Sequence, residues 1–151
     1  MKYIGMILLV LLGIHRAGQD IYVCKNAGVN LYSSAPIEDI EGNSNAGVSV
    51  YNASTGEFDF SVPIRSFHFA KSLMEDHFNE DYMESDKYPK AMFKGKMQPM
   101  PDLGKDGNYP VTVAGELDVH GVKQVRTITG MVKVKGGNVT MTSEFMVRCE
   151  D

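Results

Sequence analysis

The sequence is poor in what several functional classes require. Basic residues are outnumbered, 15 Lys and Arg against 19 Asp and Glu, for a formal net charge of −4. Nucleic-acid affinity comes largely from Lys and Arg displacing phosphate counterions, so an acidic chain without a basic stripe excludes that partner. No apolar run reaches the roughly 20 residues of a membrane-spanning helix. The two cysteines, Cys24 and Cys149, form no cluster, and there is no HExxH. His68, His77 and His120 follow one another at nine and forty-three residues, which matches no local metal motif. Neither a metal nor a cofactor is therefore expected. GxSxG is missing too, and neither cysteine has a histidine close in sequence, so no nucleophile stands beside a base. The carboxylates from Glu75 to Glu84 spread around a helix like a solvated face, not an acid/base pair. With no internal repeat or low-complexity run, 151 residues make one domain with one core.

What is present begins with a leader. Met1, Lys2 and Tyr3 precede an apolar run from Ile4 to Ile14, followed by His15, Arg16, Ala17, Gly18 and Gln19. This is the charged start, short apolar centre and small-residue exit of a secretory signal peptide. Cleavage near Gly18 would leave residues 19–151 as the mature domain, without a transmembrane anchor. It removes Lys2 and Arg16 and no acid, taking the net charge from −4 to −6. In an oxidising compartment Cys24 and Cys149 could be bridged, and so long a loop would stabilise by about 4–5 kcal/mol. Two unpaired thiols are the alternative, since sequence does not set their separation.

The mature chain reads mostly as strands. Ile21 to Lys25 and Val29 to Ser33 are two short candidates divided by the turn-like Asn26-Ala27-Gly28, and Ser34 to Asn45 reads as an exposed polar loop. Val48 to Asn52 leads through an Ala53-Ser54-Thr55-Gly56 turn into Glu57 to Arg65. That alternation stops near Ser66, and a short amphipathic helix follows, closed by Pro89. The period of two resumes at Met92 to Met97. After a Pro- and Gly-containing loop from Gln98 to Asn108 it continues through Tyr109 to Val119, Val122 to Val134 and Val139 to Val147, with tight turns at His120-Gly121 and Gly136-Gly137-Asn138. Seven or eight antiparallel strands, each apolar on one face, must close over a shared interior as a barrel or a sandwich. Slim or flexible interior candidates, among them Gly95, Met97, Gly115 and Met141, favour a barrel with a cavity.

The candidate wall of such a chamber gathers around the helical interruption. Phe58, Phe60 and Ile64 share a parity, and Phe67 and Phe69 join them only if a bulge intervenes at Ser66. Leu73, Met74, Phe78, Tyr82 and Met83 form the apolar side of the helical stretch, and Phe93 returns with the next strand. The same residues would equally serve as packing, because lining and core share chemistry. His77 and Asp81, four apart on a helix, suit a local ion pair worth tenths of a kcal/mol, or a contact to a head group at the chamber mouth.

At these residues the sequence resembles a known family. SFHFAKSLMEDHFNEDYMESDKYPKAMFKG followed by YPVTVAGELDVHGVKQ, with SSAPIEDIEGNSN and STGEFDFSVPI upstream, is similar to the YceI-like family of exported bacterial lipid-binding proteins. The ordered series HFNEDYMESDKYP, FKG and VHGV carries the resemblance, which covers residues 20 to 151. It implies an all-β, antiparallel lipocalin-like barrel with one short helical excursion. It also implies an apolar tunnel for a long-chain amphiphile (a polyisoprenoid, a quinone-type isoprenoid or a fatty amide), a periplasmic or secreted location, frequent homodimers and no catalysis. Family members continue past FMVRCED with a further turn and strand, so a chain ending at Asp151 is expected to lack the barrel's last strand, as a fragment or as a barrel completed by a partner. Two other functions stay open at this point: an enzyme using the same chamber with His77 or His120 as base, and an interaction module pairing through an open barrel edge.

Overall fold

A computed structural model describes the backbone of residues 2–8, 15–16, 20–34 and 38–149, with side chains at 20–34 and 38–147. Among these residues there are ten strands: β1 (Lys2–Leu8), β2 (His15–Arg16), β3 (Ile21–Ser33), β4 (Ile40–Asn52), β5 (Glu57–Pro63), β6 (His68–Phe69), β7 (Lys90–Gln98), β8 (Gly107–Val119), β9 (Val122–Lys135) and β10 (Asn138–Cys149). One helix, α1 (Ser72–His77), runs into a wider π turn over Phe78–Tyr82. All pairings are antiparallel. They run from β3 through β4, β5, β7, β8 and β9 to β10, and β1 lies between β10 and β3. The all-β barrel with one helical excursion expected from the pattern is the architecture found.

The period of two explains most of the wall. On β5, Phe60 and Val62 point inward, out of phase with exposed Glu57 and Asp59, and on β8 Val111, Val113 and Leu117 alternate in the same way. Gly95 and Gly115 face each other across β7 and β8. A Cβ on Gly115 would lie 2.0 Å from the Lys94 carbonyl oxygen, so only glycine permits this close approach of the two strands. The phase change expected at Ser66 is a 3-10 turn, Ile64–Ser66, held by the Ser66 hydroxyl donating to the Pro63 carbonyl at 2.6 Å. It brings both Ile64 and Phe67 inside.

Three expectations need correction, and one open alternative is narrowed. Residues 21–33 form one strand, not two; what reads as a turn at Asn26-Ala27-Gly28 is a pair of register shifts around Ala27. The polar segment expected as a loop to Asn45 enters the sheet at Ile40, where β4 pairs with β3. Its inward side chains are small: Gly42, Ser44, Gly47 and Ser49 are buried, whereas Val48 and Val50 face outward. A Cβ on Gly42 would meet the Phe69 ring at 2.7 Å, which explains why position 42 carries no side chain. For the cysteines, open between a bridge and two unpaired thiols, the strand arrangement goes with the unpaired alternative. Cys24 is a buried free thiol opposite Ser49, whereas Cys149 pairs with Lys2 beyond the Ser33 end of β3. Nine residues of strand, about 30 Å, lie between Cys24 and that end, far beyond bridging distance. Finally, Pro89 does not close the helix, which ends at Tyr82; it precedes β7, and its carbonyl accepts from the Ile64 amide at 2.9 Å.

The N-terminal stretch supplies β1, which occupies the position between β10 and β3. The cleavage position expected near Gly18 lies outside the described residues.

Candidate functional site

The inward faces of β5, β7, β8, β9 and β10 do not meet in a solid core. Phe58, Phe60 and Val62 on β5, Ala91, Phe93 and Met97 on β7, and Val111, Val113 and Leu117 on β8 form one side of a chamber. Ile128 to Val132 on β9 and Met141, Thr142, Ser143 and Phe145 on β10 form the other. About 720 Å³ of atom-free space is associated with this lining, including space open to solvent, and only about 70 Å³ is wide enough for the centre of a water molecule. The walls are almost entirely carbon. Such a surface offers no orienting polar group, so it suits an aliphatic or isoprenoid chain and gives no purchase for acid/base chemistry. Met97 and Met141 line it with flexible thioethers, which can repack around an inserted chain at low cost.

Of the residues read from the sequence as chamber wall, Phe58, Phe60 and Phe93 line it. Ile64, Phe67, Phe78 and Met83 are buried nearby as an apolar plug under the helical segment. The Phe78 ring meets Phe67 edge-on at 5.8 Å and Phe69 at 4.8 Å between centroids. Phe69 and Met74 are half-buried. Leu73 and Tyr82, expected inside, are 66% and 41% exposed. The physical reason is the short helix: α1 has no buried residue, and the π turn rotates the face so that Phe78 and Met83 carry the contact. The residues missed by sequence reading lie mostly on β8, β9 and β10. Their alternation signals an inward face, and nothing in it signals that space lies behind that face.

His77 and His120 sit outside the chamber. His77 Nδ1 is 2.7 Å from Asp81 Oδ2, both exposed, as expected for an i, i+4 pair. His120 Nε2 is 2.6 Å from Glu84 Oε2, and its ring stands edge-on to Tyr88 at 4.9 Å. Both Glu84 (φ 45°) and His120 (φ 55°) are left-handed, a conformation unusual for non-glycine residues. Together they latch the segment after the helix onto the β8–β9 turn. Neither histidine reaches the lining, so a chamber enzyme with either as base has no geometric support. Glu75, Asp76, Glu80, Glu84 and Asp86 surround a polar hollow beside Arg65, which pairs with Asp86. Among the described residues no three His, Cys, Asp or Glu side chains converge as a metal site. No helix among them is long and apolar enough to cross a membrane.

A sequence model of the YceI-like domain matches residues 22–151. The chain belongs to the YceI-like family. No curated protein matches the sequence. Among solved structures, the YceI-like chain is similar to a polyisoprenoid binding domain from Saccharophagus degradans implicated in plant cell wall breakdown. The TM-score is 0.57 at 13% identity, covering 90% of this chain and 65% of that one. It is also similar to the Campylobacter jejuni YCEI protein, with a TM-score of 0.50 at 17% identity over 66% of this chain and 58% of that one. The chain thus spans about three fifths of the length of these relatives. At such identities the likeness concerns the fold. The family match begins after β1 and β2.

Proposed function

We propose that this YceI-like protein binds a long-chain amphiphile in its chamber and acts as a non-catalytic carrier or reservoir in the cell envelope. A polyisoprenoid, a quinone-type isoprenoid and a fatty amide all fit the proposal. The observation that carries it is the carbon-lined chamber between β5 and β10; the family membership and the polyisoprenoid binding named for the Saccharophagus domain support it. Burying each methylene is worth about 0.8 kcal/mol, so a long chain can bind by apolar contact alone, with little demand for a specific polar group. The proposal includes export to the periplasm or beyond, with removal of residues 1–18. Native mass spectrometry and lipid extraction of the protein purified from an envelope fraction test it. The expected result is a co-purifying long-chain lipid, or stoichiometric uptake of geranylgeraniol by stripped protein; repeated absence of both overturns it.

A second reading rests on β1. If residues 1–18 are removed on export, β10 loses its seven register partners on β1, and β3 loses four on β1 and two on β2. Two strand edges are then left facing a vacant position, and a strand from a second copy would satisfy their backbone groups. This is the route by which we propose a homodimer, and sizing the chain with and without residues 1–18 tests it.

A further inference from the structure

The wall of the barrel is split on one side. β9 and β10 pair from Asn138↔Lys135 only as far as Ser143↔Gly130. Beyond that point β10 turns to β1, pairing Phe145 with Met6 and Met146 with Gly5. The other half of β9, Val122 to Thr129, pairs with β8 alone. Two side chains reach across the gap: the Ser143 hydroxyl donates to the Thr129 carbonyl at 2.6 Å, and Arg126 Nη2 donates to the Met146 carbonyl at 2.7 Å. The split opens onto the chamber, since Thr129, Gly130, Ser143 and Phe145 lie at its head and also line the cavity. Its outer lips are apolar, with Val125 87% and Met146 58% exposed.

Arg126 is the unexpected residue here. It has the parity of Ile128, Gly130 and Val132, the inward row of β9, so a cation stands where the row reaches the mouth. The guanidinium carries five donors in a planar fork suited to carboxylate and phosphate. Among the described residues no carboxylate pairs with it, and its hydrogen bond goes to a neutral backbone carbonyl. In an acidic chain, a half-buried arginine with unused donors beside an almost wholly apolar chamber is matched to one ligand chemistry, an anionic head on an apolar tail.

We propose that the split between β9 and β10 is the entrance to the chamber, and that Arg126 holds the carboxylate or phosphate head of a single-chain amphiphile there. The inference rests on the chamber-binding reading and narrows its ligand class. The tail passes between the lips formed by Val125 and Met146 and lies against Phe93 and Met97. The head stays at the mouth, where a charge-assisted fork to Arg126 replaces or supplements the carbonyl contact.

The test compares matched probes on the stripped full chain: palmitate against palmitamide, and geranylgeranyl phosphate against geranylgeraniol. The anionic member of a pair should bind about 10- to 100-fold more tightly than the neutral one, the range for a hydrogen-bonded charge. That preference should weaken as salt rises, while the affinity of the neutral probes stays level. In Arg126→Gln the preference should disappear with the neutral affinities unchanged within about twofold, and Arg126→Lys should keep part of it. The palmitate and geranylgeranyl phosphate arms identify which anion is preferred. If Arg126→Gln does not fold, the charged-to-neutral ratio and its salt dependence in the natural sequence still decide. Equal affinity within each pair, or a preference that survives Arg126→Gln, overturns the assignment while leaving chamber binding intact. Binding of no probe at all would overturn the chamber reading and the inference with it.

Discussion

Phe93→Ala separates a ligand chamber from an ordinary core. Phe93 is 5% exposed on β7, opposite Phe60 on β5 and Leu117 on β8, and its ring lines the chamber. Deleting a buried phenyl ring costs about 3–5 kcal/mol, the upper part of that range arising where the void stays empty. Because the Phe93 ring borders existing free space, the contacts it makes are fewer than in a solid interior, and we expect a loss near 3 kcal/mol. For a chain of this length each kcal/mol moves the melting temperature by roughly 2–4 °C, so the variant should melt about 6–12 °C lower. A saturating chain then becomes informative. At about a hundred times its dissociation constant, geranylgeraniol should raise the stability of the natural sequence by about 2.7 kcal/mol. In Phe93→Ala the chain can also fill the space the ring vacated, so the gap between the two proteins should narrow by about 1 kcal/mol or more when both are saturated. Thermal melts of both proteins, with and without the probe, read this directly. A gap that is the same with and without probe would sink the reasoning, because it would mean that the chain does not touch Phe93.

Other expectations follow from the fold. Gly115→Ala should destabilise by about 1–3 kcal/mol, measured by urea unfolding, because β7 and β8 must separate to admit its Cβ; a neutral result would refute the close approach. Burial pushes the Cys24 thiol above its usual range. The folded state therefore holds that proton more tightly than the unfolded chain, so the contribution is complete below the unfolded thiol's value near 8.5 and declines as pH rises above it. Denaturation midpoints between pH 7.5 and 10 should show this slope in the natural sequence, and Cys24→Ala should flatten it. The Cys24 thiol should also resist alkylation until the chain unfolds, and immediate labelling under native conditions would contradict its burial. Removal of residues 1–18 should shift the protein from monomer to dimer at micromolar concentration in light scattering, through the exposed β3 and β10 edges; a monomer of unchanged stability would show that β1 contributes nothing to closure.

The sequence alone determined the all-β class, the place of the helical interruption and most of the inward faces, because burial on one side of a strand imposes a period of two that β5, β7 and β8 keep intact. It also determined the family, through the ordered motifs around the helix. Tertiary structure decided the rest. The period reports which face is turned inward and is silent on whether packed atoms or free space lie beyond it. The aromatic stretch from Phe67 to Phe78 therefore turned out to plug the barrel, while much of the chamber lies against the plainer alternations of β8, β9 and β10. The inward face of β4 was illegible for the opposite reason: where the Phe69 ring needs room, the strand must be lined with Gly42 and Ser44, and small polar residues read as a loop. The distance between Cys24 and Cys149, and the split that sets Arg126 at the chamber mouth, depend on which strands are neighbours and how far each ladder runs. Pairing across the barrel joins residues far apart in sequence, and no local pattern encodes where a ladder ends.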